Sequence, residues 1–245
     1  MKIDLVGTQN TRDYNNSINK YGFKMKNNLL FRSDKLDKLT QSDIQKIKNL
    51  GIKQIIDFRS KKEKNDEPNI FISGIDYIEL PIELDSTFMN QMLIFINNKD
   101  YEGVRLLMCE FYGTLVIEHQ NTYKKFLNIL LSNQVPTLFH CTAGKDRTGI
   151  ASSFILYILD YDIDFIIQDY LFSNKYIDIN KVKNKIISEK IDEKLKNLLF
   201  KVDKSYILAF LDIIKENYDN LENYISNILE ISSQEKKKLQ QYYLF

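Results

Sequence analysis

Apolar positions follow two rhythms along the chain: short β-branched runs dominate early, and helical spacings take over later. "NLLFRS" (28–33) reads as a short strand. Leu39, Ile44, Ile47 and Leu50 then fall on one face of a helix. Thr40 suits its N-cap, Asp43 its positive end and Gly51 its left-handed stop. "IKQIIDF" (52–58) reads as a buried strand, and "IDYIELPI" (75–82) as another, ended by Pro81. Residues 86–115 are helical and apolar, with Gly103 and Gly113 as candidate breaks; core and a mobile cap are the alternatives, and periodicity favours core. An amphipathic helix follows at 121–133, a buried strand "VPTLFH" at 135–140 and a buried helix at 148–160. Helices are expected at 163–173, 181–200, 205–218, 221–230 and 233–243, the last opened by a Ser232/Glu235 capping box. This order predicts an α/β fold, a sheet flanked by helices.

At 245 residues, 44% hydrophobic and 27% charged, the chain can bury the core of one large domain spanning 1–245. A net charge of +1 gives no general case for nucleic acid. Two cysteines make no disulfide framework, so a reducing, cytoplasmic setting is the default expectation. No run is long enough for a transmembrane helix, and the first residues lack a signal-peptide core; export by another route stays open.

The chemistry concentrates in "FHCTAGKDRTG" (139–149), between the strand ending at His140 and the helix expected near Thr148. Amides of such a loop converge on an anion, and the helix N-terminus adds positive charge. The Arg147 guanidinium offers a planar fork for two phosphate oxygens. Gly144 permits the tight turn. Cys141 lies at the base of this cradle, where a helix N-terminus and a guanidinium favour the nucleophilic thiolate and the Thr148 hydroxyl can donate to sulfur. Thr142, Ala143, Gly144, Lys145, Asp146, Arg147 and Thr148 are therefore the expected phosphate-binding set. The reaction expected is attack by sulfur on phosphorus and hydrolysis of the resulting thiophosphoryl enzyme, with no metal or cofactor. His140 is expected to be structural, His119 a helix-end residue and Cys109 a buried thiol.

"HCTAGKDRTG" resembles the phosphate loop of bacterial tyrosine phosphatases that read His-Cys-x-Ala-Gly-Lys-Asp-Arg-Thr-Gly, a family related to lipid-active phosphatases. "NTRDY" (10–14), "LFRSDKLDKLT" (30–40), "IIDFRSKKE" (55–63), "DYLFSN" (169–174) and the run from Tyr206 to Leu244 resemble the same family. Thr11 stands where its pattern has Phe, and Asn15-Asn16 where it has Gly-Gly. The resemblance implies a cysteine-phosphatase fold: a small, mostly parallel sheet flanked by helices, a helical lid and a helical C-terminal region. It makes residues 86–115 the candidate lid and 163–245 the helical region packed on the core.

Protonation of the leaving group needs an acid. Asp146, placed by the loop itself, ranks first. Asp57 follows, at a strand end where the resemblance puts a functional aspartate; pairing with Arg59 is its structural alternative. Glu110 is third. Lys145 adds a cation inside the loop, which suits extra phosphates and resembles the loops of phosphoinositide phosphatases. Lys61, Lys62 and Lys64 add charge or form a solvated run. The expected partner is a phosphorylated protein or a phosphoinositide. A catalytically weak phosphate-binding module and a rhodanese-like sulfur transferase are the alternatives.

Overall fold

In the computed structural model, residues 1–83, 85–179 and 191–245 are described. Five strands form one sheet: β1 (Arg12–Asp13), β2 (Leu30–Ser33), β3 (Gln54–Asp57), β4 (Asp76–Glu79) and β5 (Thr137–His140). The spatial order is β1-β2-β5-β3-β4, parallel except for the β1–β2 pair. The last strand therefore inserts between the second and third, and its carboxyl end is flanked by both of theirs. Ser33 and Asp57 each stand in register with His140.

Strict alternation divides the strand side chains between two apolar layers, as a sheet covered on both faces requires. Phe31, Ile55 and Leu138 join Leu39 and Ile47 on one face, under α1 (Gln41–Asn49). Leu30, Ile56 and Phe139 face the larger layer. There Phe58, Phe126 and Phe139 pack ring against ring, with Phe126 centroids 5.4 and 5.1 Å from the other two. Thr40 caps α1 as expected, and with Asp43 it closes a capping box. β4 is the half-exposed edge strand, its Glu79 paired with Lys64.

Between strands lie α2 (Lys61–Asp66), α3 (Ser86–Asn97), α4 (Tyr101–Ile117) and α5 (Gln120–Asn133). The 86–115 stretch thus splits at 98–100, and Gly103 and Gly113 sit inside α4 instead of breaking it. At Gly113 a Cβ would come within 3.3 Å of Ile213, so the glycine serves close helix packing. α4 buries Tyr112, Leu115 and Val116 completely, whereas α3 leaves Met89 and Ile94 exposed.

After β5 come α6 (Asp146–Ile158), α7 (Ile163–Leu171), α8 (Ser173–Tyr176), α9 (Glu193–Phe200), α10 (Lys204–Tyr218), α11 (Leu221–Asn223), a π-helical turn at Tyr224–Ile228, and α12 (Ser233–Tyr243). α10 packs along α4, while α12 packs on α5 and α6. Half of the helix expected at 181–200, residues 181–190, lies outside the described residues; Glu193–Phe200 is helical in the described half. No helix among the described residues is long and apolar enough to cross a membrane.

Candidate active site

The central strand ends at His140, and the chain turns through Cys141–Lys145 into α6, which begins two residues earlier than its apolar pattern indicated. No side chain caps α6, so its first-turn amides are left for an anion. Gly144 adopts φ +65°, and a Cβ there would lie 2.4 Å from the Ser33 carbonyl oxygen. Only glycine lets the turn lie this close to the end of β2. Cys141 is 2% exposed at the loop base.

Arg147, in the first turn of α6, is buried. Its two terminal nitrogens donate to the two Glu63 oxygens, each at 2.7 Å, in a bidentate pair. Burial opposes the guanidinium charge, but Glu63 and Cys141 outweigh it and hold Arg147 above its ordinary value. Burial likewise opposes the Glu63 charge, and Arg147 and Thr142 reverse this, lowering that carboxyl to about 2. Glu63 also accepts from the Thr142 hydroxyl and closes the Ser60 capping box of α2. The sequence reading gave this residue no role. Its signal was there: "SKKE" is a Ser-x-x-Glu pattern directly after the Asp57 strand.

A buried polar network supports the loop from below. Arg32 donates to the Gly144 carbonyl at 2.8 Å and pairs with Asp169. Arg12 pairs with the other Asp169 oxygen at 3.0 Å and donates to Asn10 Oδ1. Asn10 Nδ2 in turn donates to the carbonyls of Ala143 and Gly144, at 3.1 and 3.0 Å. "NTRDY", "LFRSD" and "DYLFSN" are thus three distant segments that meet beneath one turn. Two guanidiniums share one carboxylate: burial and Arg32 lower Arg12, while Arg12 and Arg32 overcome burial to lower Asp169.

The remaining predicted residues take these positions. Asp146 accepts from the Tyr112 hydroxyl at 2.6 Å, and Tyr112 also meets Tyr170. Burial and then Asp146 raise the Tyr112 phenol well above its ordinary value, so it stays a donor. Lys145 is 5% exposed; its ammonium donates to the Leu199 and Lys201 carbonyls, at 2.8 and 3.3 Å, and lies 3.6 Å from Asp146. Thr148 Oγ1 is buried without a hydrogen-bond partner among the described residues, so the expected bond to sulfur is not formed here. Asp57 accepts from the Arg59 amide and guanidinium and from Asn69, and lies 3.6 Å from His140 Nε2. Burial opposes its charge, but His140 and Arg59 lower it. His140 is fully buried between the Cys141 carbonyl and Asn69, and burial lowers it. His119 begins α5, half-buried, and is lowered by burial against the pull of Glu118. Glu110 is exposed on the side of α4 away from Tyr112. Cys109 is half-buried, its thiol raised by burial. Lys61 and Lys62 are exposed, and Lys64 pairs with Glu79. Two surface clefts of about 390 and 620 Å³ lie beside α9, both lined by Lys194 and Leu198; no residue of the 141–147 turn lines either.

Comparisons with known proteins place the chain in a family. A putative tyrosine-protein phosphatase of Cupriavidus necator is 26% identical over 224 residues, covering 91% of this chain and 82% of that protein. The triple specificity protein phosphatase PtpB of Mycobacterium tuberculosis is 25% identical over 231 residues, covering 80% of this chain and 84% of that one. Among solved structures, the catalytic core of the PP-IP phosphatase SIW14 from S. cerevisiae aligns with a TM-score of 0.40 at 14% identity, covering 87% of this chain and 96% of that one. The sequence profile of the tyrosine phosphatase family matches residues 3–245, and the chain belongs to that family.

Proposed function

We propose that this chain is a cysteine-dependent phosphomonoester hydrolase that acts on phosphotyrosine proteins, on phosphoserine and phosphothreonine, and on phosphoinositides. The carrying observation is Arg147, clamped by Glu63 at the turn that starts from Cys141. A guanidinium held on two fixed bonds is already oriented for phosphate oxygens. In this reading, Sγ of Cys141 attacks phosphorus as the thiolate. The P–S bond forms while the P–O bond to the leaving group breaks, and that oxygen takes the proton of Asp146. Water then attacks phosphorus and gives a proton to the Asp146 carboxylate. The P–S bond breaks, releasing inorganic phosphate and the thiolate.

Asp146 is read as the acid because it belongs to the turn and Tyr112 fixes one of its oxygens. Asp57 is read as the anchor of Arg59 and His140. Lys145 supports the phosphoinositide part: its hydrogen bonds go to two neutral carbonyls, which a second phosphate outcompetes, and Asp146 lies farther off at 3.6 Å. A reducing compartment keeps both thiols free.

Replacing Cys141 by serine is expected to lower phosphate release by about 10⁴-fold or more while vanadate still binds. Turnover that survives the substitution rules out the covalent route. A chain that instead splits thiosulfate with cyanide is a sulfur transferase. For Lys145→Ala, phosphate release is expected to fall further on phosphoinositides than on phosphotyrosine peptides. Equal losses remove the lipid part of the reading and leave the phosphatase intact.

A further inference from the structure

The far end of α6 from the catalytic turn carries a hairpin that the phosphatase reading does not use. Ile18 and Lys24 pair across it, and Gly22 turns it at φ +87°. At its base Asn19 is buried. The Asn19 Oδ1 accepts from the amides of Tyr21 and Phe23, both at 3.0 Å, and its Nδ2 donates to the Leu159 carbonyl at 2.9 Å. This bracing ties the turn to the end of α6 and holds large apolar side chains outward. Ile18 is 60% exposed, Tyr21 65% and Phe23 53%. Phe245, 71% exposed, adds to the same surface, because its amide donates to the Lys24 carbonyl.

Lysines alternate with these rings. Residues 15–31 hold Lys20, Lys24 and Lys26 and no acid. The Lys20 ammonium lies 5.0 Å from the Tyr21 ring and Lys26 5.9 Å from that of Phe245. Among the described residues, Asp160, 3.5 Å from Lys20, is an acid in contact with this group. Isolated apolar side chains on a surface need no explanation, but a buried asparagine that fixes a rigid, lysine-flanked aromatic tip does. Aromatic rings settle at the boundary between headgroups and acyl chains, and lysines beside them meet anionic headgroups.

We propose that the Ile18–Lys24 hairpin, with Phe245, docks this protein on an anionic phospholipid bilayer. Positive charge interleaved with the rings selects a negatively charged lipid surface over a second copy of the chain, whose same face repeats the lysines. The thirteen-residue α6 separates this tip from the catalytic turn by about 20 Å. Docking therefore engages a surface separate from the 141–147 turn.

The test is co-sedimentation of the full chain with phosphatidylcholine vesicles, with and without phosphatidylserine. Binding is expected only with phosphatidylserine and is expected to weaken as salt is raised. The Tyr21→Ser/Phe23→Ser double variant should bind about tenfold more weakly, and Lys24→Glu about fivefold. Both sets of side chains are exposed, so p-nitrophenyl phosphate turnover and melting temperature should match the parent. Binding that ignores headgroup charge, or that survives the double variant, overturns the proposal. So does a dimer in light scattering that the double variant dissociates, since the face then belongs to a second copy. Because vesicle binding is read without turnover, its outcome is independent of whether the chain hydrolyses any phosphoester.

Discussion

The two sides of the 141–147 turn are built differently. Beneath it, Arg12, Arg32, Asp169 and Asn10 are buried and bonded to one another, and they hold the carbonyls of Ala143 and Gly144. At the mouth, Asp146 rests on one phenol, and Lys145 on two carbonyls beside α9. The floor is a closed network of charges, in which the loss of one member strands the others. At the mouth the hydrogen bonds go to one phenol and two carbonyls, with Lys145 3.6 Å from Asp146, and a substrate oxygen can replace each bond. A phosphate-binding turn needs both: a backbone that does not move when an anion arrives, and side chains that can change partner. The comparison predicts that floor substitutions act on stability and mouth substitutions on turnover.

The largest effect is expected at Asp169. Its replacement by asparagine leaves the Arg12 and Arg32 guanidiniums buried without their shared carboxylate. Breaking a buried pair in this way costs about 3–5 kcal/mol. Urea unfolding should register that loss, and phosphate release should fall with it as the turn loosens. An Asp169→Asn protein as stable as the parent would show that the floor is not held by this charge balance.

Glu63 stands between the two sides, since it touches Arg147 and Thr142 and also caps α2. Its carboxyl is lowered from 4.5 to about 2. A depressed carboxyl contributes stability that is fully present above its unfolded value and lost as pH falls through the folded one. The shift corresponds to roughly 3 kcal/mol at most, with some reduction for partial exposure. The parent should therefore exceed Glu63→Gln in stability at neutral pH, and the gap should close as pH falls from about 4.5 towards 2. Other lowered carboxylates, Asp57 and Asp169 among them, titrate in both proteins and cancel in the difference. A gap independent of pH would assign the Glu63 effect to packing.

The same division explains what the sequence made legible. The turn could be read because its chemistry is contiguous: Cys141, Gly144 and Arg147 fall within seven residues. The strands were legible from their β-branched runs, although their order was not, because placing β5 between β2 and β3 is a long-range choice that no local pattern records. The two-residue β1 lies in polar "NTRDY" and has no strand signature. α2 looked like a lysine run, and its Ser60–Glu63 cap was the overlooked sign of a helix. α6 began early because no capping side chain marks its start. The floor was visible only as family resemblance in three segments, since buried ion pairs between residues more than a hundred positions apart leave no spacing to read.

The smallest effect tests the mouth alone. Tyr112→Phe removes the hydroxyl that donates to Asp146 and keeps the ring against Tyr170 and Tyr206. Phosphate release from phosphotyrosine peptides should fall about fivefold, the worth of one ordinary hydrogen bond, with at most a modest fall in melting temperature. The loss should depend on the leaving group. With Asp146 as the proposed acid, a poor one such as the serine alkoxide relies on its proton, whereas p-nitrophenolate departs without much help. The ratio of variant to parent rates should therefore fall from p-nitrophenyl phosphate through phosphotyrosine to phosphoserine. A uniform loss across the three would place Tyr112 in binding or packing instead, and the acid would then have to be sought away from Asp146.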